Sequence, residues 1–140
     1  MRRRKHSTFE RSFIQERAAG CCEYCKFPFN FSHDAFHIEH IIPLHRGGSD
    51  ELENLAFACD GCNSLKWTHI EWPEPESGQR VLLFNPRTEE WSAHFAWSDE
   101  FTSVSGLTPV GRATLDLLKM NRPGLVNVRK ALRAIGVHPE

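Results

Sequence analysis

Apolar positions fall in short runs separated by glycine- and proline-rich punctuation, a pattern of small elements rather than long helices. Ser7-Thr-Phe-Glu10 has the capping-box arrangement, and Phe9, Phe13 and Ile14 can share one helical face. A helix is therefore predicted over roughly 8–19, with Gly20 as its stop. Ala35 to Ile42 is rich in β-branched and aromatic residues and closes at Pro43, which reads as a strand. Gly47-Gly48-Ser49-Asp50 marks a loop, Leu52 to Ala58 returns as a second strand, and a short helix opens at Cys59 and runs to about Trp67. Glu71 to Gly78 reads as a polar linker. Val81–Phe84 and Trp91–Trp97 predict a second hairpin around the six-residue loop Asn85–Glu90. Thr108-Pro109 fits an N-cap followed by proline at the first helical position, so a helix is predicted from 109 to about 121. Pro123 opens a last helix that Gly136 ends.

Cysteines change this picture most. Cys22/Cys25 and Cys59/Cys62 form two Cys-x-x-Cys pairs, each able to wrap one edge of a tetrahedral zinc ion. A four-cysteine ribbon usually spaces its pairs by roughly 15–20 residues. Here 33 residues intervene, enough for a hairpin with a wide loop. Knuckle, hairpin and a helix starting at the second pair make a treble-clef arrangement, with the zinc structural because four thiolates leave no open position. Cys21 is a fifth cysteine that could compete with Cys22, although Cys22 fits the pair spacing.

The 140 residues suffice for one compact domain overall, in three parts: a basic N-terminal arm and helix over 1–20, a zinc-stapled core over 21–70, and a hairpin and helical extension over 71–140. No apolar run approaches the roughly 18 residues of a spanning helix, and no apolar segment follows the basic start, so a cytoplasmic protein away from membranes is expected. In a reducing compartment Cys-x-x-Cys pairs favour metal over disulfide. The net charge of −1 hides an asymmetry. Residues 1–17 hold six Lys/Arg against two acids, residues 111–140 also six against two, and residues 18–110 five against fourteen. Basic ends could clamp a polyanion around a cation-binding centre, or they are a basic tail and a solvated helix face; charge alone leaves both open.

Glu39-His40-Ile-Ile-Pro43, Gly47-Gly48, Asn54-Leu55 and Cys59-Asp-Gly-Cys62-Asn63 together resemble the HNH endonucleases. His40 and Asn54 are fourteen positions apart, Asn54 and Asn63 nine. Leu83-Phe84-Asn85-Pro86-Arg87, His94-Phe95-Ala96-Trp97-Ser98 and Gly106-Leu107-Thr108-Pro109 resemble, more loosely, the tails of small stand-alone bacterial HNH proteins. The resemblance implies an α+β fold, with a treble-clef ββα-metal (His-Me finger) core, structural zinc on Cys22, Cys25, Cys59 and Cys62, and a C-terminal β-hairpin with two helices. It implies a DNA endonuclease with His40 as general base, its ring held by Asn54 from across the hairpin, and a catalytic Mg²⁺ or Mn²⁺ on Glu39 and Asn63. Products would carry 5′-phosphate and 3′-hydroxyl ends.

Consecutive strand residues point to opposite faces, so Glu39 and His40 can share a site only where the strand ends or bulges. Three positions depart from the commonest family pattern. Asn63 stands where many members have histidine, Glu39 where many have aspartate, and Trp67 where the colicin-type branch adds a metal histidine; oxygen donors then favour Mg²⁺ or Mn²⁺ over catalytic zinc. His37, on the same strand face as Glu39, is either a metal or phosphate contact or a hydrogen-bonded structural histidine. Arg46 and Lys66 are candidates to grip the scissile phosphate. DNA would be held mainly through its backbone, by a monomer or a homodimer. The rival readings are a zinc-stapled nucleic-acid-binding module without catalysis and a protein-interaction domain.

Overall fold

A computed structural model describes residues 6–139. Met1–Lys5, the most basic part of the expected arm, lie outside the described residues. Contacts divide the described residues into two compact units, 6–70 with 85–88 and 71–84 with 89–139. Helices and small antiparallel sheets make up both.

In the first unit, α1 (Thr8–Arg17) begins with both bonds of the capping box: Ser7 Oγ accepts from the Glu10 N–H, and the Glu10 carboxylate accepts from the Ser7 N–H. Of Phe9, Phe13 and Ile14, which the sequence places on one helical face, only Ile14 is buried; Phe9 and Phe13 are exposed. Gly20, at φ +71°, turns the chain out of the helix. The first cysteine knuckle follows, closed by backbone bonds from Cys22 N–H to Phe27 O and from Lys26 N–H to Cys22 O.

β1 (His37–His40) and β2 (Leu55–Ala58) pair antiparallel, with His37 opposite Ala58 and His40 opposite Leu55. Both are shorter than their apolar runs predict, because one further backbone bond, Ile41 N–H to Asn54 O, ends the pairing and Leu52–Asn54 forms a 3-10 turn. α2 (Asp60–Lys66) starts within the second cysteine pair, with Cys59 as its N-cap and Cys62 in its first turn, and Phe36 packs on Phe57 at 4.9 Å and on Phe29 at 5.4 Å between ring centres. Side chains from both sides grip β2. Arg17 donates to Leu52 O (3.0 Å) and Leu55 O (2.8 Å), and Arg87 to Leu55 O (3.1 Å). Arg87 also pairs with the buried Glu23, whose other oxygen accepts from the Phe57 N–H at 2.9 Å.

The wide loop 41–54 is held by the side-chain amide of Asn54. Asn54, buried, accepts from the Ile42 N–H (2.9 Å) and donates to Ile42 O (2.9 Å) and Ser49 O (2.6 Å). This packing requires glycine at 48: a Cβ there would stand 1.7 Å from Ile42 O and 2.9 Å from Asn54 Nδ2. Gly48→Ala is expected to cost on the order of 3 kcal/mol or more, since backbone must move to admit one methyl. Chemical denaturation of the purified variant measures this, and a loss below about 1 kcal/mol would show the loop to be pliable.

The second unit departs from expectation. β3 (Glu71–Pro73) lies within the segment read as a linker and pairs with β4 (Arg80–Leu82). The second hairpin is then β5 (Phe95–Trp97) with β6 (Val104–Gly106), so Val81–Phe84 and Trp91–Trp97 do not pair. Trp91–His94 instead forms a single helical turn, α3. α4 (Pro109–Leu118) packs on β3, β4 and β6, capped by Thr108 with proline in its first turn. Its Thr114 hydroxyl accepts from the Phe84 N–H at 2.8 Å. α5 (Pro123–Ala134) ends before Gly136, and its Arg129 donates to Thr102 O and lies over Trp97. No helix among the described residues is long and apolar enough to cross a membrane.

Candidate active site and metal centre

Cys22, Cys25, Cys59 and Cys62 are all buried, and their sulfurs lie within 4.8 Å of one another. A tetrahedral zinc with bonds of about 2.3 Å separates its sulfurs by about 3.8 Å. The 3.6 Å between Cys25 Sγ and Cys59 Sγ fits that spacing. Each knuckle points a backbone N–H at a sulfur, Cys25 N–H to Cys22 Sγ at 3.5 Å and Cys62 N–H to Cys59 Sγ at 3.4 Å. Cys59 also caps α2. Burial pushes the Cys22 thiol up, and neighbouring thiols do the same to Cys62, whereas hydrogen bonds from Cys22, Cys25 and Cys62 pull Cys59 far below its ordinary value. The cluster by itself thus accommodates few negative charges, and a divalent cation is what would let every sulfur ionise. Cys21 is buried beside the cluster but is not one of the four; its backbone bridges to Pro28. The four-cysteine cluster indicates a structural zinc site.

A cleft of about 190 Å³ opens beside this staple, and Glu39, His40 and Asn63 all line it, with Pro43, Leu44 and Trp67 along its walls. Glu39 and His40 reach one cleft despite being consecutive because β1 ends at His40. Asn63 comes from α2, one residue past the second cysteine pair. Trp67, 72% exposed, follows that helix at φ +48°, a strained conformation for so bulky a residue.

Glu39 is only 4% exposed. The Tyr24 hydroxyl donates to its Oε1, and Lys66 Nζ lies 3.3 Å from Oε2. Burial raises the carboxyl above its usual range, against the opposing pull of the Lys66 ammonium and the Tyr24 bond. Each oxygen keeps a second lone pair, so the carboxylate has acceptor capacity left for a hard cation. Together with the Asn63 side chain on the same cleft, it makes a pair of residues that could hold a divalent cation through oxygen. Lys66 itself, a candidate phosphate contact from sequence, is 1% exposed and donates to Ile41 O at 2.9 Å, so it does not project outward. Arg46 is exposed, in the 3-10 turn that follows Pro43.

His40 is held from an unexpected side. Its Nε2 lies 2.7 Å from Asp50 Oδ1, and the same oxygen lies 3.2 Å from His6 Nε2. Asn54, expected to hold this ring, spends its amide on Ile42 and Ser49 instead, because the 41–54 loop folds over it. His37 pairs with Asp60 at 2.8 Å, half exposed, and is not among the residues lining the cleft. Tyr24, Asp50 and His6 are the site residues that sequence reasoning missed. Asp50 carried a signal, a carboxylate closing the glycine loop ten positions after His40, but it reads first as turn punctuation.

Residues 22–68 match the HNH endonuclease family, about a third of the chain's length. No curated protein and no solved structure matches the chain. The match points to a nuclease-type function and, through the family, to a nucleic-acid substrate.

Proposed function

We propose that the protein is a metal-dependent DNA endonuclease whose first unit is a treble-clef ββα-metal site stapled by zinc. The observation that carries this reading is the convergence of Glu39, His40 and Asn63 on one cleft beside the four-cysteine cluster. His40 takes a proton from a water molecule as the water oxygen bonds to phosphorus. The bond from phosphorus to the 3′ oxygen breaks in line, and that oxygen takes a proton from solvent, leaving 5′-phosphate and 3′-hydroxyl ends. A divalent cation held by Glu39 and Asn63 would stabilise the charge on the phosphoryl group and the departing oxygen. Glu39 is set for this role by Tyr24 and Lys66, which fix its two oxygens from behind. The wall residue Trp67 leaves the cleft one lining imidazole, His40, which fits hard-cation rather than three-imidazole chemistry.

Supercoiled plasmid incubated with the zinc-loaded protein should become nicked or linear in Mg²⁺ or Mn²⁺, and remain intact in a chelator that leaves the zinc in place. Plasmid that binds but stays supercoiled in both metals would instead support the non-catalytic binding module.

A further inference from the structure

We infer that Asp50 is the positioning residue of the hydrolytic site, fixing the His40 ring through Nε2 so that Nδ1 is the nitrogen that takes the proton. The reaction this serves rests on the nuclease reading above; the ring geometry does not.

Both side chains are largely buried, His40 at 8% exposed and Asp50 at 17%, and their 2.7 Å separation is that of a strong charge-assisted hydrogen bond. An ionised carboxylate only accepts, so Nε2 carries the hydrogen and Nδ1 keeps the free lone pair. Turning the ring over would give up this bond inside a site with little water to replace it. The carboxylate is itself held. His6, its side chain 6% exposed, approaches the same oxygen from the start of α1, with its ring centre 6.3 Å from that of His40. Asn54 acts one step further back: its 2.6 Å bond to Ser49 O fixes the residue next to Asp50, and its bonds to Ile42 fix the chain just after His40. A carboxylate behind an imidazole sets ring tautomer and orientation in the serine hydrolases by the same logic.

The test reads the tautomer directly. ¹⁵N spectra of the zinc-loaded protein without other metal, at a pH where imidazoles are neutral and with His40→Ala to assign the signals, should show His40 protonated at Nε2. Asp50→Ala should weaken that preference toward the tautomer mixture of a free imidazole and lower plasmid-cleavage kcat by about 10–100-fold, with KM changed less than about two-fold. Asp50→Asn, whose amide oxygen still accepts, should keep more activity than Asp50→Ala, and it carries the comparison should the alanine variant fail to retain zinc. A His40 ring protonated at Nδ1 in the parent, or an Asp50→Ala kcat equal to the parent's, would overturn the inference. A parent with the expected tautomer, disrupted in the variant, but with no cleavage in either metal would sink the nuclease reading and leave Asp50 in place.

Discussion

His40→Ala should lower kcat for plasmid cleavage by about 10²–10⁴-fold, the usual worth of a positioned general base and roughly 3–5 kcal/mol of transition-state stabilisation. The loss should fall on kcat rather than on DNA affinity, because in the proposed mechanism the ring acts on the attacking water and not on the phosphate backbone. Nothing else on the cleft can take over, since Glu39 is held between Tyr24 and Lys66 and Asn63 has no basic group. Removing the ring also empties a largely buried space beside Asp50, so the variant's melting and zinc content belong in the same experiment. Added free imidazole should restore part of the rate by entering that space. Cleavage by His40→Ala at the parent rate, with zinc retained, would remove the ring from the mechanism altogether.

Cys59→Ser should have the largest structural effect. Its sulfur closes the cluster against Cys25 and caps α2, the helix that delivers Asn63 and Lys66. Structural zinc sites in small units contribute on the order of 10 kcal/mol at neutral pH, against total domain stabilities of about 5–15 kcal/mol. The variant should therefore lose its zinc, measurable by elemental analysis, together with the cooperative unfolding transition of residues 6–70. Retention of one zinc per chain with unchanged melting would show that three thiolates and a serine or water suffice.

The sequence was most informative where contacts are short-range. Each cysteine pair closes within four residues, the capping box spans Ser7 to Glu10, and both proline-initiated helices begin where Thr108-Pro109 and Pro123 place them. Length was less legible: β1 and β2 keep only part of their apolar runs because the 41–54 loop takes over the ends. The β3–β4 hairpin was invisible because Glu71-Trp-Pro and Arg80-Val-Leu are three-residue strands of mixed polarity whose pairing is decided by packing on α4. Within the site, Glu39, His40 and Asn63, which all line the cleft, stood out in the sequence by their fixed offsets. Their supports were not. Lys66 is internal because a carboxylate 27 positions earlier faces it, and Asp50 meets His40 only after Asn54 and Gly48 have folded the intervening loop.

The Arg87–Glu23 pair bears on how much of this chain the HNH-matching segment needs. Arg87 lies well past the family match, and Arg17 before it, yet both hold β2. A fragment trimmed to residues 22–68 would strand the Glu23 carboxylate in a low-dielectric interior with its counter-ion cut away, a defect of about 3–5 kcal/mol, and would free the Leu52 and Leu55 carbonyls from their guanidinium partners. The motif here is not a portable cassette: the polypeptide returns after a long excursion to lock it, so swapping it between hosts must carry that returning segment along.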